Sequence, residues 1–175
     1  MRLFATVFIS ALAIADFSTD ARQVQEGVDV PCNVTVPNGI MPGSVRPQKG
    51  IYGNRLLAVG PFGLWPDGTV IFKSGGPGFQ TRDGFLVMKF GWTLGSAGKL
   101  QVTGRRLDGQ APSLRASIGN SIDPPNFKPS YLIFPTPGCW EVNAQISDVE
   151  DSKLTFVTRV VKIGEGPSGR SDPND

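Results

Sequence analysis

The sequence predicts an all-β fold, an antiparallel β-sandwich, on three observations. Apolar or alternating runs of strand length recur at about ten-residue intervals. Breakers are dense, with 22 glycines and 15 prolines in 175 residues, which leaves little room for long helices. The separators carry turn chemistry, clearest at Asn38-Gly39, Asp67-Gly68 and Asp83-Gly84. A chain of this length buries one sizeable core, and about eight short strands suit two packed sheets. A small closed β-barrel is the alternative.

The elements follow in order. Residues 32–39, CNVTVPNG, alternate and then break at Pro-Asn-Gly, which predicts a short first strand and a turn. Residues 41–50 are a loop. Leu56 to Val59 and Thr69 to Phe72 are apolar runs with Asp67-Gly68 between them, a hairpin signal. Residues 73–84 form a glycine-rich loop, and residues 85–92, FLVMKFGW, are the most apolar strand. Residues 99–107 alternate Leu100, Val102 and Gly104; residues 113–120 alternate Leu114, Ala116 and Ile118. The run SYLIF, 130–134, leads through two prolines into Cys139. From there Trp140, Val142, Ala144 and Ile146 share one strand face. After the acidic turn at 147–151, Leu154, Phe156 and Val160 face the same core, so residues 139–163 form a closing hairpin. Cys139 then points away from Trp140. The chain contains no internal repeat.

Residues 1–15 read as a signal peptide. Arg2 gives a positive start, Leu3 to Ala15 an apolar stretch, and Ala13-Ile14-Ala15 a small-x-small site with cleavage after Ala15. The stretch is short for a bilayer span; a short N-terminal anchor or a buried helix is the other reading. The residues before Cys32, GVDVP, lack the small-residue context of lipid attachment. Residues 16–30 are a linker or edge segment, 31–163 the sandwich domain, and 164–175 a tail without apolar residues, expected to be disordered. The expected location is secreted or periplasmic, with no membrane span in the mature chain. In an oxidising compartment two cysteines tend to pair. A Cys32–Cys139 disulfide closes a loop of about 100 residues, worth roughly 4–5 kcal/mol by chain entropy. Two buried free thiols are the alternative.

Absent residue types narrow the chemistry. The chain has no histidine and two cysteines, which removes Ser-His-Asp and Cys-His catalysis and the usual zinc sites. No cofactor and no metal are expected. The net charge is +2 and Arg105-Arg106 is the one basic doublet, so no nucleic-acid surface is expected. The glycine loop at 74–79 opens no helix and is not a phosphate loop. A glycosidase needs two facing carboxylates. The candidates are Asp67, Asp83, Asp108, Asp123, Glu141 and the 148–151 cluster. Turns account for Asp67 and Asp83, and a solvated face accounts for Glu141. Asp148, Glu150 and Asp151 offer oxygen ligands to calcium, but a calcium site wants more ligands at better-defined spacing, and a solvated turn explains them better. The better lead is aromatic. Phe62, Trp65, Phe79 and Trp92 sit beside glycine or proline near strand ends. They are candidates for a platform that takes a sugar ring or a protein partner. Trp65 precedes Pro66 and so is held extended. The alternative is that these rings cap the core.

The segments KLQVTGRRLDGQAPSLRASI, LIFPTPGCWEVNAQI and LTFVTRVVKI resemble a family of uncharacterised secreted or lipid-anchored bacterial proteins. CNVTVPNG, YGNRLLAV, WPDGTV and KFGW match it in the same order. The resemblance covers about residues 45–163, and Gly-Cys-Trp-Glu-Val at 138–142 is its most specific part. It implies one immunoglobulin-like exported domain and assigns no catalytic residues. The chain departs from the pattern at 119–130, where relatives carry a glycine-rich segment, and at the acidic insertion 147–151. The expected function is a non-catalytic binding or structural module of the bacterial cell envelope, its partner a protein or a carbohydrate. A carboxylate-dependent secreted hydrolase is the alternative.

Overall fold

The computed structural model describes residues 31–60, 67–73, 76, 78–120 and 126–163. The signal-peptide, linker and tail segments, 1–30 and 164–175, lie outside the described residues. Ten strands are described, in chain order β1 (Tyr52–Gly53), β2 (Leu57–Val59), β3 (Thr69–Phe72), β4 (Phe79–Gln80), β5 (Leu86–Leu94), β6 (Leu100–Arg106), β7 (Arg115–Ile118), β8 (Phe127–Phe134), β9 (Gly138–Ile146) and β10 (Leu154–Lys162). One sheet runs β1-β2-β5-β8-β7, with β4 also paired to β5; the other runs β3-β10-β9-β6. The two sheets pack face to face as a β-sandwich and do not close into a barrel. Among the described residues no helix is long and apolar enough to cross a membrane.

Period-two alternation builds the core between the sheets. From one side come Leu86, Met88, Phe90, Trp92 and Leu94 of β5 with Leu132 and Phe134 of β8. From the other come Trp140, Val142, Ala144 and Ile146 of β9 with Leu154, Phe156 and Val160 of β10. The closing hairpin has the expected register, with Leu154 opposite Ala144 and Phe156 opposite Val142. Rings meet across the layers: Phe134 and Trp140 edge to face at 5.7 Å, and Trp92 with Phe156 at 6.4 Å. Each buried indole N–H has an acceptor, as such a group requires. Trp140 donates to the Thr136 carbonyl at 3.0 Å and Trp92 to Ser130 Oγ at 2.8 Å.

Cys139 faces away from this core and is bonded to Cys32, with Cα atoms 5.5 Å apart and a sequence separation of 107. Thr35 continues the attachment. Its N–H donates to the Val157 carbonyl at 2.8 Å, and its Oγ1 accepts from the Val157 N–H at 2.9 Å. At the same edge Tyr52 Oη donates to the Thr155 carbonyl and Asn54 Nδ2 to the Lys153 carbonyl, which joins the two sheets.

Five details differ from the sequence reading. Residues 32–39 form no strand; they are a segment fastened to β10. Asp67-Gly68 makes a turn, with Asp67 Oδ1 accepting the Thr69 N–H, but β2 and β3 do not pair. β3 runs parallel to β10, Thr69 opposite Arg159, so the sandwich is mixed rather than wholly antiparallel. The cause is non-local: the buried Thr158 hydroxyl donates to the Gly68 carbonyl at 2.6 Å, which draws the turn to β10. Two-residue strands β1 and β4 are too short to show a period, and the turn at 147–153 is organised by a residue the pattern did not mark. Ser152 is fully buried there, its Oγ accepting from the Ile146 N–H and donating to the Val149 carbonyl.

Replacing both cysteines by serine is expected to lower stability by roughly 4–5 kcal/mol. Denaturant midpoints of wild type with and without reductant check this, and a midpoint insensitive to reductant would show free thiols. Trp140→Ala is expected to cost about 3–5 kcal/mol, read as a lowered midpoint in the same titration; an unchanged midpoint would place the indole outside the core.

Candidate functional site

Alternation that fills the core also sets what each sheet shows to water. The β3-β10-β9-β6 sheet shows a cross-strand polar ladder. Gln145 Nε2 donates to Gln101 Oε1 at 3.1 Å, Thr155 Oγ1 to Asn143 Oδ1 at 2.7 Å, and Arg105 Nε to Glu141 Oε1 at 2.9 Å. Its polar groups satisfy one another along the register. A solvated antiparallel face is expected to look like this.

The other outer face does not. One cross-strand row reads Phe79, Val87, Ile133 and Arg115; the next reads Lys89, Tyr131 and Ser117. Phe79 is 40% exposed and Tyr131 44%, and their rings meet edge to face at 6.2 Å. The Arg115 guanidinium lies over the Phe85 ring, 4.5 Å from its centroid. Lys89 and Arg115 share the outer phase with these rings, and the six strands of this sheet contain no carboxylate. Apolar rings at water-facing positions of a sheet mark a contact surface, and their companions here are cations.

Of the four aromatic candidates, Phe79 lies in this patch. Trp92 is corrected: it is fully buried, on the inner face with Met88 and Phe90, and its indole is committed to Ser130. The glycine beside it marks no strand end, because β5 runs on to Leu94. Phe62 and Trp65 lie outside the described residues. Phe85, Arg115 and Tyr131 were not singled out. The available signal was the alternation Ser130, Leu132, Phe134 against Tyr131 and Ile133, but both sets are largely apolar and hide which faces water.

The carboxylates are engaged elsewhere. The hydrogen bond from Arg105 chiefly holds Glu141 below the usual carboxylate range; desolvation opposes it, and Asn143 and the charges of Arg105 and Lys153 add to it. Burial raises Asp108, but Arg106 donating at 2.6 Å, the Cys139 backbone N–H and the Arg106 charge together outweigh it, and its pKa is lowered. Neither is poised as a general acid, which needs the opposite shift. Arg105 and Arg106 are thus each paired with a carboxylate. Asp123 lies outside the described residues. Asp148 takes a positive φ of 64°, and Glu150 and Asp151 begin a 3-10 turn. Among the described residues no three Asp, Glu or Cys side chains converge as a metal site.

The Arg106–Asp108 pair also explains the glycine of Gly-Cys-Trp-Glu-Val. Gly138 has φ of 139°, and a Cβ there would lie 2.6 Å from Arg106 Nε and 2.8 Å from Asp108 Oδ1. Backbone conformation and space both exclude a side chain.

No protein-family model matches the chain, and a search of the curated proteins finds no match. The bearing on function is therefore that of the site's own geometry.

Asp108 gives a pH-dependent test. Its lowered pKa adds stability above the ordinary carboxylate range, lost as pH falls through the folded-state value. Asp108→Asn is expected to cost on the order of 1 kcal/mol at pH 7 and less in acid, once pH has fallen through the folded-state value. Urea midpoints at pH 7 and in acid check this; an equal loss at both would mean that its charge contributes nothing.

Proposed function

We propose that the protein is an exported, non-catalytic binding or structural module of the bacterial cell envelope, built on an immunoglobulin-like sandwich. The outer face of the β5–β8 sheet is its binding surface. The observation that carries this is the exposed Phe79–Tyr131 pair, set on the one sheet whose outer positions are apolar and cationic. Aromatic rings fixed on strands present contact area at low entropic cost. Export is supported by the signal-like segment at 1–15 and by the Cys32–Cys139 disulfide, a bond that persists in oxidising compartments. The hydrolase reading has weaker support, since Glu141 and Asp108 are each held ionised by an arginine.

Co-sedimentation of the oxidised protein with isolated bacterial envelope material tests the binding surface. Wild type is expected to sediment. A Phe79→Ser, Tyr131→Ser double variant, with its fold checked by an unchanged unfolding midpoint, is expected to lose affinity by about tenfold or more. A variant of the polar ladder, Gln101→Ala with Gln145→Ala, is expected to sediment as wild type does. Full retention by the aromatic double variant would sink the assignment.

A further inference from the structure

We infer that the loop before β1, residues 39–50, docks the protein on an anionic lipid bilayer. This surface is separate from the aromatic face, and the inference does not rest on the reading of that face. Three observations carry it. First, the loop is built to hold an apolar tip in water. Gly43 has φ of 73° and the Ser44 N–H donates to the Met41 carbonyl at 3.1 Å. Met41-Pro42-Gly43-Ser44 is thus a turn with proline and glycine where a type II turn wants them. The base of the loop is closed by the Gly39 N–H on the Ile51 carbonyl at 2.8 Å and the Gln48 N–H on the Gly39 carbonyl at 2.9 Å. Asn38 ties it to Gly53, donating to that carbonyl and accepting from that N–H. Past the turn, Ser44 Oγ donates to the Arg46 carbonyl at 2.8 Å. Val45, between them, is 99% exposed. Ile40, 46% exposed, shares an open recess with it, beside Met41 and Pro42.

Second, the charge around this tip has one sign. Residues 31–60 contain Arg46, Lys49 and Arg55 and no Asp or Glu. All three cations are exposed, and Arg55 lines the same recess as Val45 and Ile40. Among the described residues none of the three enters an ion pair. Arg105 and Arg106, by contrast, are each held by a carboxylate.

Third, the size suits lipid. A stable protein interface covers roughly 800 Å² on each partner, far more than one valine and part of an isoleucine supply. The headgroup layer of a bilayer accepts a small projecting apolar group, while cations beside it meet lipid phosphates. The acidic turn is reached through Asn54, which donates to the Lys153 carbonyl just past Glu150 and Asp151. A bilayer therefore meets the tip of the loop rather than this whole end of the sandwich.

Vesicle flotation of the oxidised protein recovered after export decides it. One set of vesicles holds phosphatidylglycerol and phosphatidylcholine in equal parts, the other phosphatidylcholine alone. The mixed vesicles are expected to carry the protein up, less so as salt rises, and the neutral ones to leave it behind. Val45→Ser is expected to weaken flotation by about tenfold, and Arg46→Gln and Lys49→Gln by about fivefold each, all with unchanged unfolding midpoints. Arg159→Gln, which removes an exposed cation of β10, is expected to change nothing. Equal flotation on neutral vesicles would overturn the anionic specificity and with it the inference. Indifference to Val45→Ser, or an equal loss with Arg159→Gln, would reduce the effect to general charge attraction and overturn it too. If no vesicle carries the protein while Val45→Ser still weakens co-sedimentation with envelope material, the tip takes a protein partner and the inference falls. The Phe79 and Tyr131 variant decides the aromatic face separately.

Discussion

Neighbouring residues on an extended strand project to opposite sides, and at Cys139 and Trp140 that constraint is used twice. The indole goes inward, packs edge to face on Phe134 and finds the Thr136 carbonyl. The thiol goes outward and is bonded to Cys32. One dipeptide thus fixes the contact between the layers and the attachment of residues 32–35 to β10. The two devices act on different states: buried ring area stabilises the folded chain, and the cross-link restricts the unfolded one. Gly138 makes the geometry possible, since the Arg106–Asp108 pair fills the space that a side chain there would need.

Residues whose partners are close in sequence were legible. The alternation Trp140, Val142, Ala144, Ile146 and its continuation at Leu154 and Phe156 identified a hairpin, and the register agrees. Asp67 and Gly68 were legible as a turn, yet the next strand was not, because β3 joins β10, some 90 residues later in the chain. No local pattern encodes that pairing; the Thr158 hydroxyl reaching the Gly68 carbonyl does. Ser152 shows the same limit. Its burial depends on a turn that wraps around it, whereas a serine in an acidic segment reads as exposed.

The candidate site was half legible for a related reason. Phe79 and Trp92 looked alike in sequence, each an aromatic beside a glycine. β5 separates them. Its even positions from Leu86 to Leu94 are apolar throughout and Lys89 and Thr93 mark the other phase, so alternation alone turns Trp92 inward; the buried Val87 blurs that phase at the start of the strand. Pairing adds what alternation leaves out, that Phe79 shares a side with Val87.

The same backbone links the core to the surface. β5 is bonded to β8 along Leu86 to Thr93 and carries β2 and β4 on its other edge. Its inward residues lock into the core, so its outward positions, Val87 and Lys89, have little freedom of their own. Tyr131 inherits its place in the same way from Ser130 and Leu132, which face inward on either side of it. A surface ring held by such a strand needs little ordering when a ligand arrives, which leaves more of the contact energy for affinity. The polar ladder opposite has its hydrogen bonds met within the sheet and gains little by exchanging water for a partner. Packing therefore separates the two faces before any ligand does: one is complete in water, and the other keeps apolar rings exposed that a partner can cover.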